Sequence, residues 1–408
     1  MEQSKTWSLT SVEEALKLVV PHVRPEGSQE VVGLLGACGR VAAEEVRAPA
    51  AVPGFTRSTV DGFAVRSADT YGASEALPAF LRVVAEIEMG EDASHISLQP
   101  GEAARIATGG MLPQGADAAL MVEHTEESGP DEIAVYRPVA PGDNVIRRGE
   151  DTEAGALLVR RGRRIRAADV GMLAAVGVTS LAVYAKPTVG IVGTGDEVVS
   201  PEVEPGPGQV RDSNSWALAA LVRRDGMLPS IYGPVPDQVG ELEAALRRAL
   251  ERHAAVLISG GSSVGKKDIT AELIDSLGEP GILVHGLAIK PGKPTILAVC
   301  DGKPVIGLPG HPASALVVYE VVVRPILERL VGLEAGQVRP AVRATLSRSV
   351  ASSPGREEYL RVRLVGRTAE PLLGESGLLS TVAGADGLVR IPLGSEGLAA
   401  GTEVEVLL

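Results

Sequence analysis

Residues 258–270, ISGGSSVGKKDIT, combine closely spaced glycines with hydroxyl, lysine and carboxylate side chains, a mixture that suits the binding of phosphate or another oxyanion. The segment satisfies the first part of the nucleotide-binding P-loop pattern, but Lys267 stands where that pattern requires a serine or threonine hydroxyl for the metal. It also satisfies the G-x-S-x-G pattern of serine hydrolases, with Ser263 at the nucleophile position. A hydrolase needs an acid and a histidine further along the chain, and His285 and His311 are the only later histidines. The hydrolase reading stays open but matches poorly.

Both patterns share a physical basis that does not depend on either enzyme class. Glycines allow backbone N–H groups to approach an anion, and the start of the following helix favours negative charge. The segment therefore predicts a phosphate or oxyanion cradle whose serines donate hydrogen bonds, formed by Gly260, Gly261, Ser262, Ser263 and Gly265. Asp268, where the next helix begins, is a predicted metal ligand.

The ends of neighbouring strands predict the remainder of the pocket, because ligands of open α/β sheets bind beyond the carboxyl ends of the strands. The acids Glu197, Asp237 and Asp268 fall on three successive strand ends, and this arrangement of carboxylates is typical of a Mg²⁺ site. Each acid taken alone is equally typical of a helix cap or a solvated loop. The other residues expected at these ends are Gly193, Thr194, Lys290, Lys293 and Pro309.

The elements that position these residues follow from the β–α alternation of residues 187–331. Strands are predicted at 188–193, 228–233, 254–261, 296–300 and 304–310, with helices at 213–226, 239–253, 268–278 and 312–330. Such alternation predicts a parallel, doubly wound sheet that is covered by helices on both faces.

The rest of the chain has a different texture. Short β-like runs broken by Gly and Pro predict a β-rich domain at 48–146, inserted into a helical platform made of 1–47 and 147–186. Ser11 is the predicted N-cap of the first helix, and 163–183 has a helical pattern. Alternating runs at 332–408 predict a small C-terminal β-barrel or sandwich. The expected fold is therefore a multidomain α/β protein.

Composition restricts the function. Aromatic residues make up 3% of the chain and the formal net charge is −13, which disfavours nucleic-acid binding. Cys38 and Cys300, far apart in the sequence, are expected to be reduced and buried, as in a cytoplasmic protein. The N-terminal residues lack the apolar run of a signal peptide or membrane span, so no membrane association is expected.

Several further motifs would each be an ordinary turn if taken alone, but their order along the chain is specific. STVDGFAVR, RIATGGMLPQGADAALMVEH, NVIRRGED, GTGDE, ISGGSSVGKKD, IKPGKP and GLPGHPASA follow one another from 58 to 315. The sequence resembles the MoeA/gephyrin E-domain family, the molybdopterin molybdenumtransferases. The resemblance covers nearly the whole chain and is weakest in the C-terminal region.

The resemblance implies Mg²⁺-dependent insertion of molybdate into adenylylated molybdopterin, with release of AMP and molybdenum cofactor. It implies a homodimer held by the helical platform, a MogA-like molybdopterin-binding domain at 187–331, and as further partners the molybdopterin adenylyltransferase and acceptor molybdoenzymes. The functional residues of the family fall on Asp61, Thr108, Asp151, Glu197, Asp237, Asp268 and Lys290, with Arg356 and Ser380 as the C-terminal basic and hydroxyl positions.

Two positions depart from the family pattern. Gly286 stands where another lysine is often found, and the usual PGNP turn is PGHP here, with His311. Relatives of this fold include receptor-clustering proteins, so a non-catalytic pterin-binding or protein scaffold is the alternative function. The joint presence of Asp61, Glu197, Asp237 and Asp268 favours the enzyme.

Overall fold

A computed structural model describes residues 9–260, 266–333 and 340–408 of the chain. The chain forms three six-stranded sheets and several two-stranded ones. In the central third of the chain, strands alternate with helices. This is the multidomain α/β fold that the sequence predicts. Among the described residues, no helix combines the length and the apolar character needed to cross a membrane.

The central sheet contains six strands in the order Leu228–Val235, Thr188–Thr194, Ala255–Ser259, Lys303–Leu308, Ile296–Cys300 and Pro280–His285. The first four are parallel, as predicted. The last two are antiparallel to their neighbours, which corrects the expectation of an all-parallel sheet. The reason is the tight turn after Cys300, because Asp301 and Gly302 both have positive φ, at 54° and 90°, and reverse the chain in two residues.

Helices cover both faces of this sheet, and each face has its own apolar core. The helices are Asn214–Arg224, Val239–Arg252, Lys266–Asp275, Pro312–Val318 and Arg324–Leu330, the last two joined by a π-helical turn at Tyr319–Val323. The N-terminal helix Val12–Val19 begins at Ser11, whose Oγ accepts a hydrogen bond from the Glu14 N–H at 3.3 Å, so the predicted cap is confirmed. Val12, Ala15 and Val19 on this helix belong to the same core as the central sheet.

The platform contains short elements, with 3₁₀ turn Val20–His22, helices Leu34–Ala37 and Ala167–Ala175, and paired strands Gln29–Gly33 with Ser180–Tyr184 and Val46–Arg47 with Leu157–Val159. The helical pattern expected over 163–183 is therefore too long. The helix ends at Ala175, and two residues later Gly177, with a φ of +81°, lets the Val178 N–H bond back to the Leu173 carbonyl at 2.9 Å.

The β-rich region is built on a six-stranded sheet in the order Ala118–Met121, Gly62–Val65, Glu102–Ile106, Ala79–Ile87, Glu132–Val135 and Thr125–Gly129, with 3₁₀ turns at Ser67–Thr70 and Val122–His124. Strands Arg57–Ser58 and Val145–Ile146, near the first and last residues of this region, pair with each other. Small residues such as Ala64, Ala103 and Ala104 are fully buried in the sheet.

The C-terminal region is a closed barrel of the strands Glu357–Val365, Thr368–Pro371, Ala341–Leu346, Glu403–Leu407 and Gly387–Ile391. Strands Val350–Ala351 and Gly397–Leu398 pair beside it, and a short helix, Ser380–Ala383, precedes the strand that closes the ring. Strand Ile289–Lys290, which leaves the central sheet region, pairs in parallel with the start of Glu357–Val365. The barrel is therefore attached to the α/β region next to the predicted lysines.

Candidate functional site

Two adjoining cavities lie where the sequence predicts the site. The smaller, about 290 Å³, lies at the carboxyl ends of Thr188–Thr194 and Ala255–Ser259. The larger, about 900 Å³, lies between the barrel and the segments that contain Lys290 and Pro309. Gly310 and His311 line both cavities. Ligand groups bound in the two cavities would therefore face each other across one turn.

Of the predicted residues that the structure describes, Gly193, Thr194, Glu197 and Gly260 line the smaller cavity. A Cβ at Gly193 would lie 2.6 Å from the Ser215 Oγ, and one at Gly260 would lie 2.0 Å from the Thr194 carbonyl oxygen. A side chain at either strand end would therefore displace its neighbours, which is why glycine suits both positions.

The acids beside this cavity are held by defined hydrogen bonds. Thr194 Oγ1 donates to Asp237 Oδ1 at 2.6 Å, and the Asp237 N–H donates to Asp196 Oδ1 at 3.0 Å. Glu197 is exposed and borders the cavity. Asp237 and Glu197 offer only oxygen ligands, and this fits Mg²⁺ better than a softer metal.

The third predicted metal ligand, Asp268, has its backbone in helix Lys266–Asp275, but its side chain lies outside the described part of the structure. Gly261, Ser262, Ser263 and Gly265 also lie outside the described residues. Among the side chains that are described, no three acids, histidines or cysteines lie close enough together to hold a metal.

The larger cavity carries the positive charge. Lys290, Lys293, Arg356 and Arg361 line it, with Glu358 and Glu375 as the acids among its lining residues. Pro309, a further predicted residue, also lines it. This excess of cations suits a dianion or a phosphate group.

One barrel strand, Glu357–Val365, supplies much of the wall. Glu358 forms an ion pair with Lys290, with 3.1 Å between Oε2 and Nζ. Arg361 is 8% exposed and donates to Thr381 Oγ1 at 2.8 Å and to the Gly374 carbonyl at 2.9 Å. Burial lowers the pKa of the Arg361 guanidinium below its usual range.

His311 connects the two halves of the site. Its Nδ1 lies 2.7 Å from the Ser376 Oγ, on the barrel segment that covers the larger cavity. Ser380, the predicted C-terminal hydroxyl residue, begins helix Ser380–Ala383 next to Thr381 but lines neither cavity. Gly286 has a φ of +101° and lines neither cavity.

Asp61 and Thr108 are brought together in the β-rich region although 47 residues separate them. The Thr108 N–H and Oγ1 both donate to Asp61 Oδ1, at 2.7 and 3.0 Å. The backbone bond and then the hydroxyl bond lower the pKa of the Asp61 carboxyl. Both residues are exposed, and neither lines either cavity. Asp151 is also exposed and borders neither cavity, and its N–H donates to the Val52 carbonyl at 3.1 Å.

The sequence interpretation missed Asp212 and Asn214, which both line the smaller cavity. Asp212 Oδ1 accepts a hydrogen bond from the Ser215 N–H at 2.9 Å and so caps the helix. Asn214 Nδ2 donates to Ser259 Oγ at 2.9 Å and to the Gly310 carbonyl at 2.8 Å, which ties three loops of the site together. An Asp two residues before the first residue of helix Asn214–Arg224 is a readable signal of a helix start.

Comparisons with known proteins give a consistent result. Family models match three consecutive parts of the chain: the MoeA N-terminal region (domain I and II) at 10–177, the probable molybdopterin binding domain at 190–329, and the MoeA C-terminal region (domain IV) at 343–408.

Individual relatives match over nearly the full length. The molybdopterin molybdenumtransferase of a Nostoc species is 34% identical over 95% of this chain and 91% of its own length. That of Bacillus subtilis is 32% identical over 97% and 93%. The crystal structure of the molybdopterin biosynthesis MoeA protein from Pyrococcus horikoshii is 32% identical, covers 98% of this chain and 100% of its own, and superimposes with a TM-score of 0.86.

Proposed function

Since the chain belongs to the MoeA family of molybdopterin molybdenumtransferases, we propose that it is an enzyme of molybdenum cofactor biosynthesis that inserts molybdate into adenylylated molybdopterin and releases AMP. The observation that carries this proposal is the pair of adjoining cavities. The smaller cavity is lined by strand-end glycines and bordered by carboxylates, and the larger cavity is lined by lysine and arginine side chains. Their shared wall at Gly310 and His311 would bring two ligands into reach of each other.

The residues divide the work according to their charge. Lys290, Lys293 and Arg356 would bind the molybdate dianion in the larger cavity by charge-assisted hydrogen bonds. The smaller cavity, which Gly193 and Gly260 line, would take the phosphates of the pterin substrate. Water is displaced from both cavities as the ligands bind, which strengthens these interactions.

Glu197, Asp237 and Asp268 are the residues that would hold Mg²⁺. A bound Mg²⁺ supplies neutralisation of the phosphate charge that develops as the P–O bond to AMP breaks. The Thr194 hydroxyl fixes the Asp237 carboxylate by its 2.6 Å hydrogen bond, so this ligand is oriented before the metal arrives.

The direct test is an assay of AMP release. Purified protein is incubated with adenylylated molybdopterin and molybdate, with and without Mg²⁺, and we expect AMP only when all components are present. Glu197→Gln should raise the Mg²⁺ concentration required, while Glu202→Gln, an exposed acid on the same loop that lines neither cavity, should not. Absence of AMP under all conditions would favour the non-catalytic scaffold.

We also propose that the enzyme is a homodimer whose sites are shared. Asp61 and Thr108 line neither cavity of a single chain, which supports their contribution to the site of a second copy. An Asp61→Ala chain and an Asp268→Ala chain, each inactive alone, should regain activity when their subunits exchange, because one pocket of the mixed dimer then carries neither defect. Heterodimers detected by mass that remain inactive would contradict the shared site.

A further inference from the structure

The cation-lined cavity contains a carboxylate in direct contact with one of its lysines. Glu358 Oε2 lies 3.1 Å from Lys290 Nζ and also accepts a hydrogen bond from Ser352 Oγ at 2.7 Å. The Glu358 side chain is 14% exposed, whereas that of Lys290 is 48% exposed. The acid is therefore fixed in the wall, and the lysine extends from it towards solvent.

The backbone sets this pair. Lys290 lies opposite Glu358 in the short parallel ladder between the α/β region and the barrel, and Ile289 lies opposite Glu357. The Glu357 N–H donates to the Ala288 carbonyl at 2.8 Å and holds the two segments in this register. This register places the two residues side by side in the cavity wall.

A carboxylate at this place opposes the ligand that the cavity would take. An incoming oxyanion must compete with Glu358 for Lys290 and is repelled by the charge of Glu358. Removing that charge should therefore strengthen anion binding, which is the opposite of what loss of a binding residue does. Weaker binding of the substrate has a benefit, because binding the ground state more tightly lowers KM without raising kcat.

We propose that Glu358 is a positioning residue that holds Lys290 in the cavity and competes with the incoming oxyanion for it, and so sets the affinity for molybdate. This inference rests on the proposed function, which supplies the oxyanion. It assigns Glu358 a role through Lys290 rather than contact with the substrate.

The experiment measures the affinity of the full chain for sodium molybdate by calorimetry at constant ionic strength. Glu358→Gln should bind molybdate about three- to tenfold more tightly than wild type, as expected for release of one partly exposed ion pair. Glu375→Gln removes an acid from the same cavity that is not paired with Lys290, and it should change the affinity by about twofold or less. In turnover, Glu358→Gln should lower both the KM for molybdate and kcat, because Lys290 loses its fixed position.

The decisive control is the double variant. Lys290→Met should weaken molybdate binding. In the Lys290→Met background, Glu358→Gln should then increase the affinity no more than Glu375→Gln does, because only the general loss of one negative charge remains. An unchanged or weaker affinity of Glu358→Gln, or the full gain in the absence of Lys290, overturns the inference. If Glu358→Gln does not fold, Glu358→Asp, whose carboxylate is one methylene shorter, must show a smaller gain in the same direction.

The outcomes also separate this inference from the proposed function. Molybdate binding that requires Lys290 but is insensitive to Glu358→Gln overturns the inference alone. If the Lys290 and Glu358 variants show the predicted affinities but the protein releases no AMP, the proposed function alone is overturned. If wild type binds neither molybdate nor sulfate in a Lys290-dependent manner, both are overturned.

Discussion

Thr194→Val tests whether the hydroxyl at the end of a central strand organises the proposed metal site. The substitution keeps the shape of the side chain and removes one hydrogen bond, that from Thr194 Oγ1 to Asp237 Oδ1 at 2.6 Å. A hydrogen bond to a charged group contributes about 1.5–3 kcal/mol. Because Asp237 is half-buried and water replaces part of the bond, we expect the free energy of unfolding to fall by about 1–2 kcal/mol.

The free energy of this hydrogen bond also sets an upper limit to the effect of Thr194→Val on Mg²⁺ binding. An Asp237 carboxylate that is no longer fixed must be ordered when Mg²⁺ binds, so the half-saturating Mg²⁺ concentration for AMP release should rise by about 5- to 30-fold at most. Thr188→Val is the matched control, since Thr188 begins the same strand and its hydroxyl makes only a 3.4 Å bond to the Arg252 carbonyl. We expect it to change stability by less than about 0.5 kcal/mol.

Urea unfolding and the Mg²⁺ dependence of AMP release are measured for both variants. If the two variants share the same unfolding midpoint and Mg²⁺ requirement, the Thr194–Asp237 bond has no role in stability or in the metal site. If stability falls in Thr194→Val while the Mg²⁺ requirement stays at the wild-type value, the bond is structural only, and Asp237 is not a metal ligand oriented by Thr194.

The remaining predictions concern a strand-end glycine and the two thiols. Gly260→Ala should destabilise the protein by about 2–4 kcal/mol, because φ is +131° and a Cβ would lie 2.0 Å from the Thr194 carbonyl oxygen. Gly208→Ala, at a φ of +83° with nothing within 4 Å, should cost about 1 kcal/mol, and equal losses in urea unfolding would contradict the steric argument. Burial raises the pKa of the Cys300 thiol to about 11, whereas Cys38 is exposed, which corrects the expectation that both are buried. Iodoacetamide should therefore label Cys38 alone in the native protein, and equal labelling in a peptide mass map would contradict this.

The central sheet shows where sequence patterns suffice and where they fail. β–α alternation predicted the four parallel strands, because each is separated from the next by a helix long enough to be recognised. It failed for Ile296–Cys300, which runs antiparallel to both of its neighbours, because no helix separates it from Lys303–Leu308. Asp301-Gly302 between two apolar runs is a strong hairpin signal, and it would have predicted the antiparallel pair.

The predicted length of the platform helix was wrong for a similar reason. Residues 163–183 contain apolar residues at helical spacing, but Gly177 stops the helix and the VTSLAV run after it is rich in β-branched residues. These residues form strand Ser180–Tyr184, which is completed by pairing with Gln29–Gly33 from the far end of the region. A local pattern cannot specify a partner that is about 150 residues away.

The candidate site divides in the same way. The rule of strand ends predicted Thr194, Glu197, Lys290 and Pro309, which line the two cavities. It could not predict Glu358, because the contact with Lys290 exists only through the ladder between two regions that are 68 residues apart. Residues that complete a site from another domain depend on tertiary pairing and leave no local signal.

The net charge of −13 and the proposed anionic substrates are compatible, since the two act over different distances. At physiological salt, charges separated by more than about 8 Å are largely screened, so an anion in the cavity responds mainly to the side chains that line it. Those include four cations, Lys290, Lys293, Arg356 and Arg361, against the acids Glu358 and Glu375. Three of the six lie at 356–361 in the barrel, so the sign of the local field depends on the junction between barrel and α/β region. The acidic surface keeps the protein dispersed, while the junction determines what binds.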